Sequence, residues 1–185
     1  GESRVPLDGS LSDLGGQSIE GALVGFTTGA STASILGEET PGLAGSYNIK
    51  LGSAASGRVD AQKAFDASTD PGEIGVGDAL DILRIALDLD PSFGPATAEN
   101  LIAADVSGDG AVGVSDALDV LRFAVGIETE NAPRWVFFDK DADLSSVTDK
   151  NAITYETGLG LESVDGAGPV ELTGILLGNV QEVVV

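Results

Sequence analysis

The sequence predicts an α+β fold in which a helical pair is inserted in, or packed beside, a small β-sandwich built from the N- and C-terminal segments. Three observations carry this. Apolar residues recur three and four apart from Val59 to Ile127, whereas the segments before and after hold short β-branched runs. The helical stretch contains an internal repeat: Gly77-Asp78-Ala79-Leu80-Asp81-Ile82-Leu83-Arg84-Ile85-Ala86-Leu87 returns as Ser115-Asp116-Ala117-Leu118-Asp119-Val120-Leu121-Arg122-Phe123-Ala124-Val125, an offset of 116 − 78 = 38 residues. Strand-like segments flank the repeat on both sides. The expected divisions are residues 1–58, 59–130 and 131–185, the first and third completing one sandwich; two independent β lobes are the competing arrangement.

In the first segment, Ser18 to Thr28 is largely apolar and β-branched, Ala33 to Leu36 is a second short run, and Tyr47 to Leu51 alternates. Gly29, Gly37 and Pro41-Gly42 supply turn geometry between them. In the helical segment, Leu80, Leu83 and Leu87, like Leu118, Leu121 and Val125, share an apolar face that sister helices can bury against each other. Asp81 with Arg84, and Asp119 with Arg122, are spaced to pair on an exposed stripe. A short linking helix is expected over about Pro95 to Ala104. Beyond Ile127, strands are expected at Trp135 to Phe138, Ala152 to Glu156, Val170 to Leu177 and Gln181 to Val185, with Trp135, Phe137 and Phe138 as core anchors.

Composition narrows the chemistry. Against 9 basic residues stand 30 acidic ones, a formal charge of −21, which repels nucleic acid and anionic membranes and favours cations. The chain has no cysteine and no histidine, so zinc sites of the usual kind, thiol nucleophiles and Ser-His-Asp triads are excluded. Oxygen-ligated hard metals remain. No run approaches the roughly 20 apolar residues of a membrane-spanning helix. Gly1-Glu2-Ser3-Arg4 lacks the layout of a secretory signal, and a start without Met reads as processed.

Asp105 to Asp116 places side-chain oxygens from Asp105, Ser107, Asp109 and Asp116 at positions 1, 3, 5 and 12 of a twelve-residue loop. Calcium takes six to eight oxygen ligands, and such a loop delivers them with a glycine at position 6 and a carbonyl at position 7. Here those are Gly110 and Ala111; Gly113 stands where a water-mediated contact is usual, and Asp116 closes the shell from the first turn of a helix. Asp66 to Asp78 aligns with one extra residue, Pro71: Asp66, Ser68 and Asp70 take the first positions, Gly72 the turn, Glu73 the carbonyl and Asp78 the closing place. A solvated acidic turn is the competing reading of this first loop. Asp139, Asp141 and Asp143 also alternate, but Lys150 stands where a closing acid is needed, so a solvated loop is expected there.

Residues 66–127 resemble a dockerin domain, the duplicated calcium-loop-plus-helix module of cellulosomal enzymes and other bacterial and archaeal surface proteins. The resemblance rests most on Asp105-Val106-Ser107-Gly108-Asp109-Gly110 followed by Asp116-Ala117-Leu118-Asp119-Val120-Leu121-Arg122, and covers about a third of the chain. It implies two bound calcium ions, antiparallel sister helices and docking to a cohesin domain. The partner-reading positions it implies are Val76-Gly77 and Val114-Ser115, with Arg84 and Arg122 further along; they depart from the Ser-Thr pairs of cellulosomal dockerins. The flanking β segments resemble the immunoglobulin-like modules that accompany some dockerins. Glu182-Val183-Val184-Val185 resembles the ending of type I secretion substrates such as serralysin-like proteases, a plain terminal strand being the alternative. The function expected from all this is a non-catalytic, calcium-dependent interaction module of a secreted or cell-surface protein. A calcium-rigidified structural part of a larger adhesin or hydrolase is the alternative.

Overall fold

The computed structural model of the chain describes residues 4–28, 35–39, 45–53 and 55–181. Gly29, Pro41-Gly42, the first residues of the Ala33 run and the Glu182–Val185 ending lie outside the described residues. The elements in order are β1 (Arg4–Asp13), β2 (Leu23–Thr27), β3 (Ile35–Glu39), β4 (Ser46–Gly52), β5 (Gly57–Ala64), α1 (Val76–Ala86), α2 (Ala98–Ala104), α3 (Val114–Ala124), β6 (Arg134–Asp139), β7 (Leu159–Leu161) and β8 (Val170–Leu177). The chain is mixed α+β and divides into two compact units. The first holds Gly1–Lys63, Val136–Ala142 and Glu156–Gly174; the second holds Ala64–Trp135, Asp143–Tyr155 and Ile175–Val185.

The first unit is the β part. Hydrogen bonds connect the strands in the order β3-β2-β5-β6-β8-β1-β4, with β7 paired to β5. Strands from both ends of the chain therefore share one hydrogen-bonded sheet, where two stacked sheets were expected. The link that sequence pattern does not reveal is β1, which pairs antiparallel with β4 (Leu7 opposite Ile49) and parallel with β8 (Leu11 opposite Leu172). Alternation sets the buried face: Leu7 and Leu11 of β1, Val24 and Phe26 of β2, Tyr47, Ile49 and Leu51 of β4, and Val59 and Ala61 of β5 are all buried. Residues 59–64 thus belong to strand β5 and not to the helical segment. Their alternating burial is a two-residue period that the neighbouring helical pattern masks.

Gly9 marks the tightest approach in this sheet. A Cβ there would overlap the Val170 carbonyl oxygen and the Tyr47 ring. The Tyr47 hydroxyl donates to that same carbonyl at 2.8 Å. Burial pushes the Tyr47 hydroxyl far above its ordinary value, and the negative Asp8 adds to the effect.

The second unit is helical. The α1 and α3 helices pack together, and the apolar side chains they bury are Ala79, Ile82, Ile85, Ala117 and Val120. The short α2 starts at the cap residue Thr97, whose hydroxyl accepts the Asn100 N–H at 3.3 Å, and it buries Leu101 to Ala104. Phe65 and Phe123 meet edge to face with centroids 6.0 Å apart. Trp135 is buried in this unit, and Phe137 and Phe138 are buried in the first, as expected of core anchors. The sister helices also end alike: Asp88 and Gly126 adopt φ of 59° and 77°, and the next residue's N–H returns to Arg84 O at 2.8 Å or Arg122 O at 2.7 Å.

Two expectations about these helices are corrected. Leu80, Leu87, Leu118, Leu121 and Val125 are not buried between them; with Val76, Leu89, Val114 and Ile127 they are 38–57% exposed. The stripe that goes inward is the other apolar one, through Ile82 and Val120. Asp81 and Asp119, expected on an exposed stripe, are buried. Asp81 accepts the Ser92 N–H and hydroxyl, each at 2.7 Å, and Asp119 accepts the Thr129 hydroxyl and Asn131 Nδ2. Each carboxylate thereby holds the loop that leaves its own helix. Arg84 donates instead to the Asp90 carbonyl at 3.4 Å. Residues 152–156, expected as a strand, carry none. No described helix is long and apolar enough to cross a membrane.

The packing at Gly9 yields a contrast. Gly25 of β2 has nothing within 4 Å of where a Cβ would stand. Gly9→Ala is expected to lower the thermal midpoint by many degrees, or to prevent folding, while Gly25→Ala stays within about 1 kcal/mol of wild type in denaturant titrations.

Candidate metal centre

The second loop is built between two helix ends. Asp105 caps the C-terminus of α2, and Gly113 precedes the first turn of α3, to which Asp116 belongs. Gly108 and Gly110 adopt φ of 75° and 87°, a conformation open to glycine, and this reverses the chain between the two ends. Position 6 therefore has the turn expected of it. Asp105 and Asp116 are buried, whereas Asp109 is exposed at the rim.

Backbone amides hold these acids. Asp105 Oδ1 accepts the Gly108 N–H at 3.0 Å and the Ser107 hydroxyl at 3.3 Å, and Oδ2 accepts the Gly110 N–H at 2.9 Å. Asp116 Oδ1 accepts the Ser107 N–H at 2.9 Å, and Oδ2 the Gly113 N–H at 2.8 Å. Asp109 Oδ1 accepts the Ala111 N–H at 3.0 Å. The outcome is that Asp105, Asp109 and Asp116 each present a carboxylate oxygen within 4.8 Å of the others, the one such group of three among the described residues. Burial pushes the Asp105 carboxyl above its ordinary value; the Gly110 N–H offsets part of this, and the charges of Asp116 and Asp109 push the same way as burial. A hard divalent cation would offset the like charges and the burial together, and an all-oxygen donor set without His or Cys is the kind that holds such an ion.

A segment outside the repeat braces the loop. Val112 donates its N–H to Lys150 O at 2.7 Å, and Ile153 donates its own to Gly110 O at 2.8 Å. Lys150 Nζ donates to Ala86 O at the end of α1, 2.7 Å away, and lies 3.4 Å from Asp88. Arg134 adds a bond to Val106 O at 2.7 Å. These supporting residues escaped sequence reasoning, which read Lys150 only as a poor closing ligand for the Asp139 loop. No spacing signal ties residue 150 to residue 112.

The first loop is arranged differently. Gly72 makes the expected turn with φ of 94°. Asp66 is exposed, and its Oδ1 accepts the Ser68 N–H at 2.9 Å and hydroxyl at 2.6 Å. Asp70 Oδ2 accepts the Asp66 N–H at 2.8 Å and the Trp135 indole N–H at 2.9 Å. Asp78 is buried; Oδ2 accepts the Gly75 N–H at 2.9 Å, and Oδ1 accepts those of Val180 at 2.9 Å and Gln181 at 3.1 Å. Glu73 lines a small cavity with Ile74, Gly75, Asp78 and Gln181. These acids are not gathered as those of the second loop are.

Of the partner-reading positions, Val76, Arg84, Val114, Ser115 and Arg122 are exposed and Gly77 is half-buried beside the Gln181 side chain. The Asp139-to-Asp143 stretch closes local turns, Asp139 accepting the Asp141 N–H and Asp143 that of Ser145. Comparison with protein-family models, curated proteins and solved structures returned no match, so the reading of this site rests on its geometry.

Calcium at about 100 times its Kd is expected to stabilise the chain by about 2.7 kcal/mol. Asp105→Asn is expected to abolish that gain, measured as the shift of thermal midpoint between calcium and chelator. Lys150→Ala is expected to cost about 1–2 kcal/mol in either condition through the lost bond to Ala86 O, checked by urea titration.

Proposed function

We propose that this chain works by binding and not by catalysis: residues 66–127 act as a dockerin-like interaction module in a secreted or cell-surface protein, docking a cohesin-like domain when calcium fills the second loop. The observation that carries the proposal is the trio Asp105, Asp109 and Asp116 drawn together ahead of α3. Calcium is the cation that suits it, because carboxylates, a hydroxyl and main-chain oxygens are what the loop offers. In low calcium the trio repels itself and the loop loosens; in millimolar calcium it closes.

The outward apolar stripe supports the docking half of the proposal. Leu80 and Leu118, and likewise Val76 and Val114, occupy matching positions in the repeat, and all are exposed. The stripe costs solubility unless something covers it. Exposed basic side chains, Arg84 and Arg122, recur beside it in a chain of charge −21, so the face suits a partner with an apolar centre and acidic flanks.

Surface plasmon resonance against a panel of cohesin domains tests this. Binding is expected in millimolar calcium and lost in chelator, and Leu80→Ser with Leu118→Ser together are expected to weaken it by about a hundredfold, since each removes apolar burial worth about 1.4 kcal/mol, or about tenfold. Binding indifferent to chelator contradicts the proposal. Calcium stabilisation without capture of any cohesin favours the rigidifying role in a larger surface protein.

A further inference from the structure

The sister carboxylates Asp78 and Asp116 stand at the same place in the repeat but have different partners. Asp116 accepts amides from its own loop and helix, one on each oxygen. Asp78 accepts one local amide, from Gly75, and two amides on a single oxygen from Val180 and Gln181, more than 100 residues away in sequence. Charge that a cation would neutralise is met there in part by N–H groups from outside the repeat, and Asp66 and Asp70 are not drawn to Asp78 as Asp105 and Asp109 are drawn to Asp116.

The displacing segment is firmly held. Val180 is buried, and its carbonyl accepts Asn100 Nδ2 at 3.0 Å. Gly178 donates to Ala103 O at 2.7 Å. Gln181 Nε2 donates to Asp81 Oδ2 at 2.7 Å, and Gly77 gives its side chain room that a Cβ would fill. At the other end of the same loop, Asp70 is turned to the Trp135 indole N–H.

Resting on the calcium reading of the second loop, we infer that the first loop is locked by residues 178–181 in place of an ion. The module is therefore one-sided: it takes one calcium per chain, α1 is held in place at any calcium level, and only the loop ahead of α3 is calcium-gated. Half of the docking stripe is permanently formed, and calcium completes the other half.

Native mass spectrometry of the chelator-stripped chain, titrated with calcium, should show one ion bound. Hydrogen exchange should show slower exchange at residues 105–116 on adding calcium and no change at 66–78. Two bound ions, or calcium-dependent protection at 66–78, overturns the inference while leaving the second-loop reading intact. No bound ion and no response in either loop overturns both. Gln181→Ala should speed exchange at residues 75–82 equally with and without calcium, and unchanged exchange there also counts against the lock.

Discussion

Carboxylates brought within 4.8 Å of one another repel, and two of the three in the second loop are also buried, where water screens them least. The fold tolerates the arrangement because amides of Ser107, Gly108, Gly110 and Gly113 point at Asp105 and Asp116. That offset is partial, since the Asp105 carboxyl stays above its ordinary value. Three gathered carboxylates whose mutual repulsion is only partly offset are suited to a cation that arrives from solution. Much else follows from holding this loop in shape. Two positive-φ glycines reverse the chain, α2 and α3 supply its ends, and residues 150–153 brace its middle while Lys150 ties that brace to the end of α1.

Duplication did not produce two equal halves. The helices repeat their starts, their buried stripe, their outward stripe and the turn that ends them, even to Asp88 standing in the left-handed conformation that Gly126 takes more easily. What differs is how the carboxylate at the head of each helix is satisfied. At the second it faces two other acids. At the first it faces amides of residues that follow β8. The head of α1 is thus satisfied by the chain itself, whereas the head of α3 lies among three carboxylates that could hold a metal ion.

The glycine turn of each loop, the helices behind them and the gathering of Asp105, Asp109 and Asp116 were legible because acid spacing, a glycine at the turn and a repeated helix are all local in sequence; the acids of the first loop, spaced alike but for the extra Pro71, are not gathered. Helix α2, strands β4, β6 and β8 and the three aromatic anchors were legible for the same reason. The helix faces were misread for a physical reason: α1 and α3 each carry two apolar stripes, and periodicity says that both exist but not which goes inward. Ile82 and Val120 lie next to Asp81 and Asp119, so the inward stripe looked polar until Ser92, Thr129 and Asn131 supplied partners from the following loops. Strand β5 was absorbed into the helical pattern beside it. The parallel pairing of β1 with β8, and the contact of residues 180–181 with Asp78, join residues more than 100 apart and leave no local trace.

The proposed role depends on the Asp105–Asp116 loop gathering a hard divalent ion. A crystal grown in millimolar calcium, with diffraction recorded at a wavelength long enough for calcium to scatter anomalously, tests it most directly. An anomalous peak is expected inside that loop, about 2.3–2.6 Å from oxygens of Asp105, Asp109 and Asp116. A well-ordered loop with no anomalous peak would contradict it.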